Sequence, residues 1–231
     1  MSSSLHQNYT RRFANELNVP VFSVDYRLAP EHRFPAAVND CWQAYYWIVN
    51  HAKEHLGIEP DKIVLTGDSA GGFLVITTTI MAIINNFQIP TGIVPVYPLV
   101  SSDISKFLPS NLCSLDDTLL SASFVQYCMS SFVAYRVRLD SNFLANPSVT
   151  PDEILEKFPP CHMYVCEVDP LRDAAFNLGL RLKKLGREVK IDLMQDYIHG
   201  FQSFDLKVNG VEEYHNTVGK VKDTIGEFLN R

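Results

Sequence analysis

Three side chains far apart along the sequence, Ser69, Asp169 and His199, are of the types that together break an acyl bond. Ser69 lies in Val64-Leu65-Thr66-Gly67-Asp68-Ser69-Ala70-Gly71-Gly72, an apolar β-type run that stops at Gly-x-Ser-x-Gly and leads into a helix-like run. A sharp strand-to-helix turn exposes the serine Oγ and holds its backbone under strain. Gly67 and Gly71 flank the serine, and a Cβ at either position is expected to collide with the neighbouring strand or helix. The following helix aims its free N–H groups and the positive end of its dipole at the reaction site.

A hydroxyl is a weak nucleophile until a base removes its proton, and that base needs a partner that fixes its tautomer and stabilises its charge. With a strand–turn–helix serine, the expected order is Ser, then Asp or Glu, then His, each beyond the carboxyl end of a strand. Asp169 follows an apolar run that ends at Val168, and His199 follows one that ends near Met194. Each also has a plainer reading. Asp169 before Pro170 suits a helix N-cap with proline at N1, and His199 is one of seven histidines. His6 and His32 precede the serine, His51 and His55 fall on a polar helix face, His162 opens a strand, and His215 lies in the last helix. Only Ser69, Asp169 and His199 satisfy order and strand-end position together.

The elements that must carry these residues alternate. Residues 20–26, 62–66, 92–97, 162–168 and 189–194 are β-rich, several near-continuously apolar, as strands buried on both faces of a parallel sheet are. Residues 36–55, 70–86, 173–185 and 211–229 are helix-like. Alternating β and α units predict an α/β sandwich with right-handed crossovers in one domain. Residues 101–160 break the pattern, with a helical piece at 121–136 and no obvious strand, and read as a cap or lid inserted into that domain.

Composition narrows the alternatives. The 231 residues carry a net charge of −6, with no basic stripe interleaved with aromatics, which argues against a nucleic-acid partner. No apolar run reaches the ~20 residues of a membrane span. Five scattered cysteines (Cys41, Cys113, Cys128, Cys161, Cys166) suggest buried thiols rather than disulfides or a zinc site, and with no visible leader they point to a reducing, cytoplasmic setting.

Four motifs in register, YRLAPEHRFPAA at Tyr26 to Ala37, GDSAGG at Gly67 to Gly72, DPLRD at Asp169 to Asp173 and HGF at His199 to Phe201, resemble those of the hormone-sensitive lipase-like family of α/β-hydrolases. The resemblance runs from about Phe13 to the C-terminus. It implies an α/β-hydrolase fold that cleaves carboxylic esters, such as acyl esters or acylglycerols, without cofactor or metal. It implies Ser69 as nucleophile, His199 as base and then acid, Asp169 as its orienting partner, and the Ala70 N–H as an oxyanion donor. Such a substrate also implies work at a lipid surface. A plant hormone receptor of the same fold has lost the triad histidine, so a non-catalytic ligand receptor or an inactive fragment is the alternative; His199 is present here. The sequence departs from the family at Phe73, where asparagine is usual, at Arg33, where proline is usual, and at Ala174-Ala175, where Glu-Gly is usual. The family's His-Gly-Gly-Gly loop, which supplies further oxyanion donors, does not occur in residues 1–60. The expectation is that this loop and the strand before it precede Met1 in a longer chain. That strand would lie between residues 20–26 and 62–66, and without it two rows of backbone groups go unpaired.

Overall fold

The computed structural model describes residues 3–103, 105–205 and 211–231. Four parallel strands, β1 (Val64–Asp68), β2 (Gly92–Val96), β3 (Cys161–Val168) and β4 (Val189–Ile198), pair in sequence order β1-β2-β3-β4. β2 and the first six residues of β3 are buried throughout, as expected of strands covered on both faces. The eight α-helices assigned among the described residues are α1 (Gln7–Leu17), α2 (Ala36–Leu56), α3 (Ala70–Ile84), α4 (Pro109–Cys113), α5 (Ala122–Phe132), α6 (Asp152–Leu155), α7 (Arg172–Lys184) and α8 (Glu212–Leu229).

Two apolar clusters sandwich the sheet. On one face Ile76 and Ile80 of α3 and Leu178 and Leu182 of α7 meet Ile93, Met163 and Val165. On the other, Tyr9 and Phe13 of α1 and Val218, Val221 and Phe228 of α8 meet Val94, Val96 and Tyr164. α3 is buried almost all round, and two of its three threonines bond back within the helix. Thr77 Oγ1 donates to Leu74 O at 3.2 Å and Thr79 Oγ1 to Val75 O at 2.8 Å. No helix is long and apolar enough to cross a membrane among the described residues.

Residues 20–26 depart from the expectation. They form no strand and belong to no ladder, and Val21 and Phe22 are exposed. The reason is a gap in the sheet. A cavity of about 690 Å³ separates this segment from β1, lined by Val21, Ser23, Tyr45, Val64, Thr66 and Asp68 among others. Among the described residues β1 has one strand neighbour, β2. Thr91 N donates to Ile63 O, and Ser69 N donates to Val96 O, so odd-numbered residues along β1 turn their backbone groups to β2. The alternation of a strand then turns those of Val64, Thr66 and Asp68 toward the cavity. The gap falls where the sequence reading expects two unpaired rows.

The segment after residue 26 is firmly held. Arg27 donates to Asp40 through its backbone N–H at 2.9 Å and through its guanidinium at 2.8 Å. Of the thiols, Cys161 and Cys166 are buried as expected, but Cys41 and Cys128 are half-buried and Cys113 is exposed. Residues 105–160 carry short helices and no strand. Cys113 belongs to that segment, in which several apolar side chains, Phe107, Leu112 and Phe124 among them, are exposed.

Candidate active site

Ser69 stands between β1 and α3 with φ +56° and ψ −115°, a region that a non-glycine residue occupies at a cost of order 1–3 kcal/mol. The surroundings hold it there. Its N–H donates to Val96 O at 3.0 Å, and its carbonyl accepts from Phe73 N and Leu99 N at 3.2 and 3.1 Å. The turn needs glycine at Gly67, where an added Cβ would lie 2.6 Å from the carbonyl carbon and oxygen of Gly71. It also needs one at Gly72, where a Cβ would meet Pro98 Cβ at 2.6 Å. Gly71 corrects the sequence reading: a Cβ there meets nothing within 4 Å, because this residue faces the open cavity beside β1.

His199 follows β4, and Asp169 follows β3. Crossovers in a parallel sheet bring both loops to the end at which β1 delivers Ser69. His199 Nε2 lies 2.8 Å from Ser69 Oγ, and His199 Nδ1 lies 2.7 Å from Asp169 Oδ2. The three predicted side chains thus form one continuous hydrogen-bonded line. Asp169 is only 2% exposed, and its other oxygen accepts the Leu171 N–H at 2.8 Å. This replaces the N-cap reading: α7 begins at Arg172, and the Asp169 carboxylate divides between His199 and the turn that leads into the helix. Gly200, at φ +82°, turns the chain after His199, and Tyr97 packs its ring 4.8 Å from the imidazole. Ala70 opens α3, so its N–H has no intrahelical acceptor and stands next to the serine.

Several supporting residues escaped the sequence reading. Tyr9 Oη donates to Asp68 Oδ1 at 3.0 Å, and Tyr97 Oη donates to Asp68 Oδ2 at 3.4 Å. Burial, then the adjacent Asp68 charge, pushes the Tyr9 hydroxyl far above the ordinary phenol range, so it stays a neutral donor. These bonds tie α1 and the residue after β2 to the residue just before Ser69. Asp68 was legible as part of the glycine-serine motif, whereas nothing in the sequence around Tyr9 marks it.

The segment after β2 is tied to the aspartate loop. Ser110 Oγ and Asn111 Nδ2 both donate to Pro170 O, at 3.0 and 2.9 Å, and Ser110 N donates to Asp173 Oδ2 at 2.8 Å. α5 reaches the other side. Phe132 O accepts Phe34 N at 2.8 Å, and its ring meets Phe73 edge-on at 5.5 Å. The unusual Phe73 is therefore an anchor for α5. The unusual Arg33 donates to Ser130 O at 3.3 Å, and Ala175 fills the core beside α3. A small cavity of about 50 Å³ lies between Leu99, Phe107, Val125 and Leu171.

Known proteins share this fold. A family model described as alpha/beta hydrolase fold matches residues 1–203. The hormone-sensitive lipase of Mus musculus is 43% identical over 131 residues, which is 57% of this chain and 17% of that protein. An arylesterase of Saccharolobus solfataricus is 35% identical over 204 residues, covering 83% of this chain and 61% of its own length. Among solved structures, the esterase of Pyrobaculum calidifontis superposes with a TM-score of 0.88 at 29% identity, over 98% of this chain and 72% of that one. Carboxyl esterase 2 of Tuber melanosporum gives 0.90 at 26% identity, over 99% and 73%. The chain thus spans about a sixth of the hormone-sensitive lipases that it matches and under two thirds of the arylesterase.

Proposed function

This chain belongs to the α/β-hydrolase fold family, and on that footing we propose that it is a serine hydrolase of carboxylic esters, acting on acyl esters or acylglycerols. The observation that carries the reading is the unbroken line Ser69–His199–Asp169, with contacts of 2.8 and 2.7 Å at a strained strand–helix turn.

Each residue has a step. Ser69 Oγ attacks the acyl carbon while His199 Nε2 takes its proton, giving a tetrahedral oxyanion and an imidazolium. Asp169 holds the Nδ1–H, which fixes the tautomer that leaves Nε2 free to accept, and its charge stabilises the imidazolium. The Ala70 N–H donates to the oxyanion, reinforced by the positive end of α3. Collapse breaks the ester bond, and His199 returns the proton to the departing alcohol. Water then attacks the acyl-serine by the same route in reverse, releasing the acid.

Residues 101–160 serve as the cap over this end of the sheet. Their ties to Pro170, Asp173 and Phe73 support that role, as do the exposed Phe107, Leu119, Phe124 and Tyr127, which offer a surface to an acyl chain. A reducing, cytoplasmic compartment with access to a lipid surface suits the five free thiols.

Hydrolysis of p-nitrophenyl butyrate tests the assignment. Ser69→Ala abolishes turnover, and Asp169→Asn lowers kcat by about 10⁴-fold because the imidazole loses its tautomer partner. Turnover retained by Ser69→Ala refutes it.

A further inference from the structure

α2 carries a group of side chains that the hydrolytic reading does not use. His51, Glu54 and His55 stand at positions i, i+3 and i+4, spacings that place side chains on one face of a helix. One donor atom from each can be chosen so that all three lie within 4.8 Å of one another. We propose that His51, Glu54 and His55 form a surface chelate for a divalent late transition ion: Zn²⁺, Ni²⁺ or Cu²⁺.

The donor set selects the ion. Two imidazoles and one carboxylate suit zinc, nickel and copper, whereas calcium and magnesium require oxygen cages. Paired histidines at i and i+4 on one helix face are a recurrent zinc-binding arrangement. Bonds of about 2.0–2.2 Å hold donors roughly 3–4 Å apart. Glu54 and His55 are exposed and His51 half-buried, so side-chain rotation closes the remaining ångström without moving backbone.

The helix is prepared for a cation at this place. The ligands occupy the last two turns, next to the negative end of the helix dipole. Those turns are pinned, since Gly57 at φ +67° donates to Lys53 O and Ile58 N donates to Ala52 O, while Ala52 is fully buried. The neighbouring cation is already engaged: Lys53 Nζ lies 2.7 Å from Glu59. Glu54 itself has no ion pair among the described residues, which leaves its charge for a metal. Trp47 lies beside the cluster, with its ring centroid 5.9 Å from His55 and 6.2 Å from His51, close enough to report an open-shell ion there.

The test is fluorescence titration of the full chain carrying Trp42→Phe, which leaves Trp47 as the only indole of the two. NiCl₂ and CuCl₂ are expected to quench it saturably at one ion per chain. ZnCl₂ is expected to compete for the same site and to raise the melting temperature, whereas MgCl₂ and CaCl₂ do neither. His51→Ala and His55→Ala should each weaken binding by at least the roughly 10–100-fold that loss of a mere supporting group costs, Glu54→Gln should weaken it less, and His32→Ala should leave it unchanged. Circular dichroism confirms that α2 remains folded in each variant. Absence of saturable quenching and of calorimetric heat in the folded chain overturns the proposal, as does equal affinity in the His51→Ala, His55→Ala double variant.

Discussion

The glycine-serine motif looks symmetric, yet the structure makes its two glycines unequal, and paired alanine substitutions expose the difference. At Gly67 the new Cβ would lie 2.6 Å from backbone atoms of Gly71, about 0.8 Å short of the 3.4 Å at which ordinary contact begins. Neither partner is a flexible side chain, so β1 and the first turn of α3 must separate by most of that distance. Overpacking of this kind costs about 1–3 kcal/mol, and for a chain of this size each kcal/mol lowers Tm by about 2–4 °C. Because the moving turn carries Ser69, the same displacement is felt in catalysis, where a shift near 1 Å costs up to ~10²-fold in rate. At Gly71 the Cβ enters open space, so alanine gains helix propensity, up to about 0.5–1 kcal/mol, and Tm holds or rises slightly. Differential scanning fluorimetry with p-nitrophenyl ester kinetics reads both effects. Equal destabilisation by Gly67→Ala and Gly71→Ala would refute the argument.

Four further outcomes follow from the structure. Tyr9→Phe leaves one Asp68 oxygen without its 3.0 Å donor and should cost about 1–3 kcal/mol, read as a lower Tm in thermal melts. In amide exchange, Val64, Thr66 and Asp68, which face the cavity, should exchange faster than Leu65 and Gly67, which face β2; uniform protection along β1 would contradict the gap. Asn111→Ala removes a donor to Pro170 and should lower kcat/KM while leaving Tm nearly unchanged, a split that a purely structural role would not give. Burial pushes the His162 imidazole below its usual range, against the pull of Asp192 at 2.9 Å. The unfolded chain therefore binds this proton more readily, so His162 subtracts stability as pH falls below about 6.5. His162→Gln should lose less Tm than the parent between about pH 7 and pH 5, and an unchanged acid slope would count against this.

Much of this molecule was readable because its signals are local. Val64 to Gly72 states strand, turn and helix within nine residues, and Asp169 and His199 follow apolar runs that needed no tertiary knowledge. Strand and helix limits shifted by a few residues, as at β4, which runs on to Ile198. What failed was non-local. Residues 20–26 have strand composition, but a strand is defined by its neighbour, and the cavity keeps β1 out of pairing reach. Gly71 was misjudged for the same reason, since the space beside it depends on what lies beyond β1. Tyr9 and Asp68 meet across 59 positions, and Ser110 and Pro170 across 60, distances at which no spacing rule applies. Phe73 and Arg33 remain departures from the family pattern, and their contacts with α5, far off along the sequence, could not be read from it.

The proposed activity requires a single hydroxyl activated by a single imidazole, and covalent capture addresses that directly. Incubation with a fluorophosphonate, followed by peptide mass mapping, should give one adduct per chain, on Ser69, with the labelling rate falling at least ~10³-fold in His199→Ala. An adduct on another serine, or Ser69 labelled equally fast without the imidazole, would contradict it.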